Sequence, residues 1–354
     1  MPKTFKNIYP KITDFQNLLL AARRAQKGKR YRESTLIFNF DLEANLFRLQ
    51  EQLKSKTYKH GPYKDFIVRD SKKRLISAAP YRDRVIHHAV INIIEPLFDR
   101  GFIHDTYACR RGKGTHAALF RYRHFLKRYK YVLKCDIRKY FQSIDHQILL
   151  QKLARKLSDR DTLLLLAEII ESRSFNEQPP HIYYPGDDLF TPFERKRGIP
   201  VGNLTSQFFA NLYLNDFDHW IKEDLRAGAY IRYVDDFCIF GNEKSYLNEL
   251  RSLIEEYLLG LRLSIHKGKS RVHTVKEGIE FLGFRHLPER ARIRRENVRR
   301  FIARMKRMQN EYAEGSISLS KVGASVNSWI SHASYADSYR LREQLIPSFA
   351  FTKG

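Results

Sequence analysis

Cysteine is scarce in this chain: 354 residues contain three, Cys109, Cys135 and Cys238. They are far apart and show no C-x-x-C spacing, which leaves no basis for a disulfide framework or a cysteine zinc site. Each lies in apolar or strand-like context, so all three are expected in the core, in a reducing compartment. No stretch reaches the roughly 18 apolar residues that a membrane-spanning helix needs. Met1 to Tyr9 has no apolar signal-peptide centre. A cytoplasmic location without a membrane partner is therefore expected. No repeat period and no low-complexity linker divides the sequence. Acidic residues are also in short supply, 39 against 64 Lys and Arg, for a formal net charge of +25. Such an excess describes partners rather than fold, and nucleic acid is the commonest polyanion to meet it.

What the sequence does have is a substantial apolar fraction, 43%, with 24 Phe and 20 Tyr, enough for a large core. Helical spacing recurs over Asp14–Lys27 and through Leu42, Leu46, Leu49 and Leu53. Tyr63–Arg69 and Arg74–Ala79 flank a turn-like Asp-Ser-Lys-Lys and predict a β-hairpin. Asp83–Leu97 predicts a buried helix, in which His87 and His88 are expected to pack rather than bind metal. A short strand is predicted to end near Cys109, and a further helix to end at Arg128. Tyr131–Cys135 predicts a strand ending at Asp136. Helices are predicted over 148–157, 161–171, 203–225 and 244–259, with a long loop over 174–197. Strands are expected near Leu261–Ile265, Ser270–Thr274 and Ile279–Phe284. Nine Lys or Arg residues fall between Arg290 and Arg307, where Val298, Phe301, Ile302, Met305 and Met308 form an apolar stripe. That pattern predicts a helix with one core face and one polyanion-facing face.

The chemistry is carried by carboxylates at strand ends. Asp235 and Asp236 stand between the apolar runs 231–234 and 237–240, which predicts a hairpin. Alone, an Asp-Asp pair there is no more than a polar turn, because Asp bonds nearby backbone. A second acidic strand end, Asp136, changes the reading. Two or three convergent carboxylates suit hard divalent cations such as Mg²⁺. Two such ions about 3.5–4 Å apart can stabilise both oxygens of an in-line phosphoryl displacement.

Tyr233-Val234-Asp235-Asp236, with Asp136 and Phe141, resembles the catalytic motifs of the reverse transcriptase family. Lys73-Arg74, Arg82-Asp83-Arg84, the block Thr106 to Gly114, Gly198 to Gln207, Leu263 to Ser270 and Phe281 to Phe284 resemble further family blocks in the family order. Any one of these is weak; seven in order, over about residues 60 to 285, are strong together. The resemblance implies an α+β, right-hand polymerase fold: an N-terminal helical extension (1–60), fingers and palm of antiparallel sheet plus helices (61–285), and an α-helical thumb (286–354). It implies an RNA-directed DNA polymerase with catalytic Asp136, Asp235 and Asp236, and with two Mg²⁺ ions, Mn²⁺ being an alternative, at Asp136, Ile137, Asp235 and Asp236. Nucleotide contacts would come from Lys73, Arg74, Arg82, Phe141, Val201, Gly202, Gln207 and Lys269, with Phe141 as the steric gate against ribonucleotides. Nucleic-acid contacts would come from Arg295, Arg299, Arg300, Arg304 and Arg307.

One departure narrows the resemblance. Most of the family carries Gln-Gly, three residues, then Ser-Pro, where this chain has Val201-Gly202-Asn203-Leu204-Thr205-Ser206-Gln207. That variant resembles the enzymes of diversity-generating retroelements, bacterial or phage-encoded, which misincorporate opposite template adenines. Val201 cannot make the hydrogen bond that a Gln would, a loss of about 0.5–1.5 kcal/mol, up to roughly tenfold in selectivity. Packing in the loop, with fidelity set elsewhere, is the alternative role for Val201. The subfamily implies as partners a structured template RNA, its cDNA, deoxynucleoside triphosphates and a small basic oligomeric accessory protein. Two other readings stay open. One is another group II-like bacterial reverse transcriptase (intron, CRISPR-associated or phage-defence). The other is a non-catalytic RNA-binding protein on the same fold.

Overall fold

A computed structural model describes residues 4–69, 73–175 and 182–353. The longer elements, in chain order, begin with helices α1 (Phe15–Ala25) and α2 (Leu42–Lys54), then the hairpin β1 (Lys64–Arg69) and β2 (Lys73–Ala78). Helices α3 (Tyr81–Asp99) and α4 (Thr115–Leu126) lead to β3 (Tyr131–Asp136), α5 (His146–Ala154), α6 (Arg160–Glu171) and α7 (Leu204–Tyr213). Next come β4 (Tyr230–Tyr233), β5 (Asp236–Gly241), α8 (Lys244–Gly260) and β6 (Arg271–Thr274). Strands β7 (Ile279–Phe281), β8 (Phe284–His286) and β9 (Ala291–Ile293) precede helices α9 (Arg295–Ala313), α10 (Leu319–Ala333) and α11 (Tyr339–Leu345).

The central sheet is antiparallel, ordered β4-β5-β3-β6. Its strands read as continuous apolar runs because both faces are covered. One face presents Leu133, Cys135, Tyr230, Phe237 and Ile239 to a helical core that includes α1, α2, α3 and α7. The other presents Val132, Ile231, Cys238 and Phe240 to α4 and the β7–β8 hairpin. Alternation along each strand then places Lys134, Asp136 and Asp236 on this second face, at its end. Helix α3 anchors the first core with Val85, Ile86, Ala89, Val90, Ile94 and Phe98, all buried, each large side chain contributing about 1.5–3 kcal/mol. His87 is buried on this helix, and burial lowers its pKa to about 3, so it packs as a neutral ring. A third cluster joins α9 to α10, where Phe301 stacks on Trp329 at 4.0 Å between ring centroids.

Several local expectations are corrected. Leu261–Ile265 forms no strand; Ile265 makes a single bridge to Ile137. The stretch ending at Cys109 is likewise not a strand: Thr106 makes one bridge, to Arg232. Cys109 is exposed, not core, in a left-handed turn with φ 54°. Ile279–Phe284 is two strands, reversed at Leu282-Gly283, both with positive φ. The helix expected over 203–225 is broken into α7, Asn215–His219 and a π-helical turn over Trp220–Asp224. Tyr335 and Tyr339, beside the last helices, are exposed. The loop expected over 174–197 contains a helical turn, Thr191–Glu194, and its central part lies outside the described residues.

Candidate active site

Strand pairing assembles the carboxylates. Asp136, last residue of β3, lies in register with Asp236, first residue of β5. Asp236 also pairs with Tyr233 of β4, so Val234 and Asp235 form a two-residue hairpin turn. The Ile137 amide donates to the Asp235 carbonyl at 3.3 Å, tying the turn to the chain leaving β3. Val234 takes φ 60°. For a β-branched residue this left-handed conformation costs about 1–3 kcal/mol and persists only where its surroundings impose it.

Two lysines stand on these carboxylates. Lys269 Nζ donates to Asp136 Oδ2 at 2.7 Å. Lys134 Nζ, diagonal to Asp236 across the β3–β5 pair, lies 3.4 Å from Asp236 Oδ2 and 2.6 Å from the Glu280 carbonyl of β7. Burial pushes the Asp236 carboxyl up to about 7; the Asp235 and Asp136 charges add to the rise, and Lys134 opposes it. Asp236 Oδ1 is buried without a hydrogen-bond partner. Among the described residues, no three His, Cys, Asp or Glu side chains stand together as a ready metal cage. The donor set nevertheless fits hard cations: it offers oxygen ligands, one of them orphaned, and an ammonium group already occupies a cation position on each of two carboxylates. Arg271, Arg285 and Arg294 extend this basic surface around a cleft of about 670 Å³ beside Asp136 and Asp236.

The segment Gly198–Gln207, a loop that runs into the start of α7, is wedged between the β1–β2 hairpin and the Phe141 turn. Ile199 N–H donates to the Phe141 carbonyl at 2.8 Å, and Ser77 N–H of β2 donates to the Val201 carbonyl at 3.1 Å. Asn203 Nδ2 donates to the Ser77 carbonyl at 3.0 Å. At Gly202, φ is +113° and an added Cβ would lie 2.8 Å from Ile76, so backbone conformation and close approach both call for glycine. Phe141 and Val201 are half-buried, whereas Gln207 is exposed.

Not every predicted contact residue gathers here. Lys73 and Arg74 are exposed on β2. Arg82 is turned onto Asp83, at 3.0 Å, and the Lys59 carbonyl. Arg295, Arg299, Arg304 and Arg307 are exposed along α9, and Arg300 is half-buried. Arg307 pairs with Glu311 one turn on. Lys134 was missing from the sequence reading, although its place two residues before Asp136 on a strand puts both on one face. Also missed was a buried ion pair below the turn, Arg232 with Asp218. A charged residue inside an otherwise apolar strand was its signal, since buried charges need partners.

A central antiparallel sheet presenting paired carboxylates at its end, flanked by the β1–β2 hairpin and followed by a helical unit, has the architecture of a nucleotide polymerase. Comparison with known proteins places it further. Residues 58–286 match the reverse transcriptase (RNA-dependent DNA polymerase) family, and the chain belongs to that family as an RNA-directed DNA polymerase. It is similar to protein YkfC of Escherichia coli, 25% identical over 291 residues, 71% of this chain and 73% of YkfC. It is similar to the putative COX1/OXI3 intron 1 protein of Saccharomyces cerevisiae, 19% identical over 64% of this chain and 25% of that protein. It is also similar to the group II intron-encoded protein LtrA of Lactococcus lactis, 23% identical over 51% of this chain and 29% of LtrA. The alignments thus span a quarter to three quarters of these relatives' lengths. Among the described residues, no helix is long and apolar enough to cross a membrane.

Proposed function

We propose that this protein copies a template RNA into cDNA by adding deoxynucleotides to a primer 3′ end at Asp136, Asp235 and Asp236. The observation that carries the reading is the register of β3 with β5, which sets Asp136 against Asp236 beside the Asp235 turn. Divalent ions, Mg²⁺ in the first place, supply the charge that activates the 3′-hydroxyl and neutralises the departing pyrophosphate. Asp136, Asp235 and Asp236, with Ile137, would hold those ions, and Lys269 and Lys134 would give up their contacts with Asp136 and Asp236. Lys269 then turns to the triphosphate, and the basic cleft receives nucleic-acid backbone, where phosphate contacts position without reading sequence. Phe141 walls the sugar pocket against a 2′-hydroxyl. The exposed arginines of α9 grip the template–primer duplex.

The cation requirement has a pH signature. The folded-state pKa of Asp236 is raised, from 3.8 to about 7. Its contribution to stability is therefore full below the unfolded value and is lost as pH rises through about 7. Cation binding needs the ionised form, so it strengthens over the same interval. Mg²⁺ is expected to raise the melting temperature of the template-free protein more at about pH 8 than at about pH 6. Equal shifts at the two pH values would remove the link between Asp236 and the metal.

The finer reading is an error-prone polymerase of a diversity-generating retroelement, working on a structured RNA with a small basic oligomeric accessory protein. Val201 supports it: the residue lies in the loop that joins the fingers hairpin to the Phe141 turn, and its side chain offers no hydrogen bond to a nascent base pair. Val201→Gln is expected to reduce errors opposite template adenine by up to about tenfold, with less effect at other bases. Sequencing of cDNA copied from a defined RNA reads this directly, and an unchanged error spectrum would assign fidelity elsewhere. A second reading, a group II intron-type reverse transcriptase, is favoured by the intron-encoded relatives. It predicts the same catalytic site without an adenine bias in the same cDNA.

A further inference from the structure

We propose that Arg232, held by Asp218, is a positioning residue that fixes the Val234–Asp235 turn and thereby the catalytic carboxylates. The proposal rests on the reading that Asp235 and Asp236 take part in nucleotidyl transfer. Arg232 points to the opposite face of the sheet from Asp236, into the helical core, where both it and Asp218 are fully buried. Its guanidinium grips Asp218 with two prongs, Nε to Oδ1 at 2.7 Å and Nη2 to Oδ2 at 2.5 Å. Asp218 is itself held by the hydroxyls of Tyr230, at 2.6 Å, and Thr106, at 3.0 Å. This carboxylate has four donors and no room to swing.

The third nitrogen of the fork reaches the site. Arg232 Nη1 donates to the carbonyl of Val234 at 2.9 Å. Val234 is the residue in the left-handed conformation, so this bond opposes the turn's own tendency to relax. Relaxation would rotate the peptide that leads into Asp235. A lysine could keep the charge but could not meet Asp218 with two nitrogens and the turn with a third, because only the planar fork presents donors in that arrangement. Packing alone does not explain the pair, since buried ion pairs are often matched or bettered in stability by apolar side chains of similar size. What such side chains could not supply is the donor to the Val234 carbonyl.

The test compares Arg232→Lys, Arg232→Met/Asp218→Asn and Asp235→Asn with the unmodified protein in Mg²⁺-dependent primer extension, each beside its thermal melt. The double variant removes both charges while its Asn keeps a carbonyl oxygen to accept from Tyr230 and gains an amide that can donate to the Thr106 hydroxyl, so it is expected to fold. Both Arg232 variants are expected to lose about tenfold to a hundredfold in kcat, the scale of a small misplacement of reacting groups. The KM for template–primer is expected to stay within roughly twofold, because no primer contact is altered. A purely structural pair predicts instead that activity follows the amount of folded protein. The proposal is overturned if the folded double variant polymerises at the unmodified rate. It is equally overturned if Arg232→Lys, folded, keeps its kcat. Should Arg232→Lys fail to fold, the double variant decides. Asp235→Asn separates the two claims: normal polymerisation by that variant sinks the carboxylate assignment itself, whatever the Arg232 variants do.

Discussion

Replacing Asp235 with asparagine is expected to lower deoxynucleotide addition by on the order of a thousandfold, the scale on which removal of a preorganised electrostatic contact acts. The fold should barely register the change. Asp235 occupies a two-residue hairpin turn, half-exposed, where Asn is as well suited as Asp to local backbone bonding. Shape, volume and turn preference are kept, and what is lost is one negative charge at a site already crowded by Asp136 and Asp236. That charge is costly in the metal-free protein, since it helps push the Asp236 carboxyl up to about 7. The melting temperature without Mg²⁺ should therefore stay level or rise slightly, while activity collapses. Primer extension on an RNA template with purified protein, beside a thermal melt, measures both. A variant that polymerises normally would show that the Asp235 carboxylate has no part in the chemistry.

The second large effect is on sugar selectivity. Phe141→Ala is expected to raise ribonucleotide incorporation, relative to deoxynucleotide, by about a hundredfold, because the proposed barrier is the volume of the ring rather than a bond that the substrate must make. The backbone should survive. The contact that joins this turn to the loop after Gly198 is the Phe141 carbonyl accepting from Ile199, and alanine retains it. The ring is half-buried, so its loss should cost less than the roughly 3–5 kcal/mol of a fully buried Phe. Competition between the two nucleotide types in one extension reaction gives the ratio. No change in that ratio would move the gate to another residue.

The agreement between sequence and structure has a physical pattern. Elements whose apolar residues repeat strongly were legible to within a few residues. Helix α3, predicted over Asp83–Leu97, spans Tyr81–Asp99, and β3, predicted over Tyr131–Cys135, ends at Asp136 as expected. Short irregular segments were not. Leu261–Ile265 has strand composition, but it makes a single bridge, to Ile137, instead of a ladder. Leu282-Gly283 turns the chain back within what looked like one strand, because two residues with positive φ reverse it. Cys109 looked like core from its apolar neighbours, and an exposed left-handed turn lifts it out.

The sequence by itself determined which residues carry negative charge at predicted strand ends, and that the chain as a whole is strongly basic. It also determined the order of blocks by which the family resemblance was drawn, since residue type and spacing are local properties. Only the tertiary structure decided that Asp136 lies opposite Asp236, because register between strands about a hundred residues apart is a long-range property. It alone brought Lys134 and Lys269 onto those carboxylates. It alone set Arg232 on Asp218 beneath the turn, where a lone charge in an apolar strand finds its partner on another element.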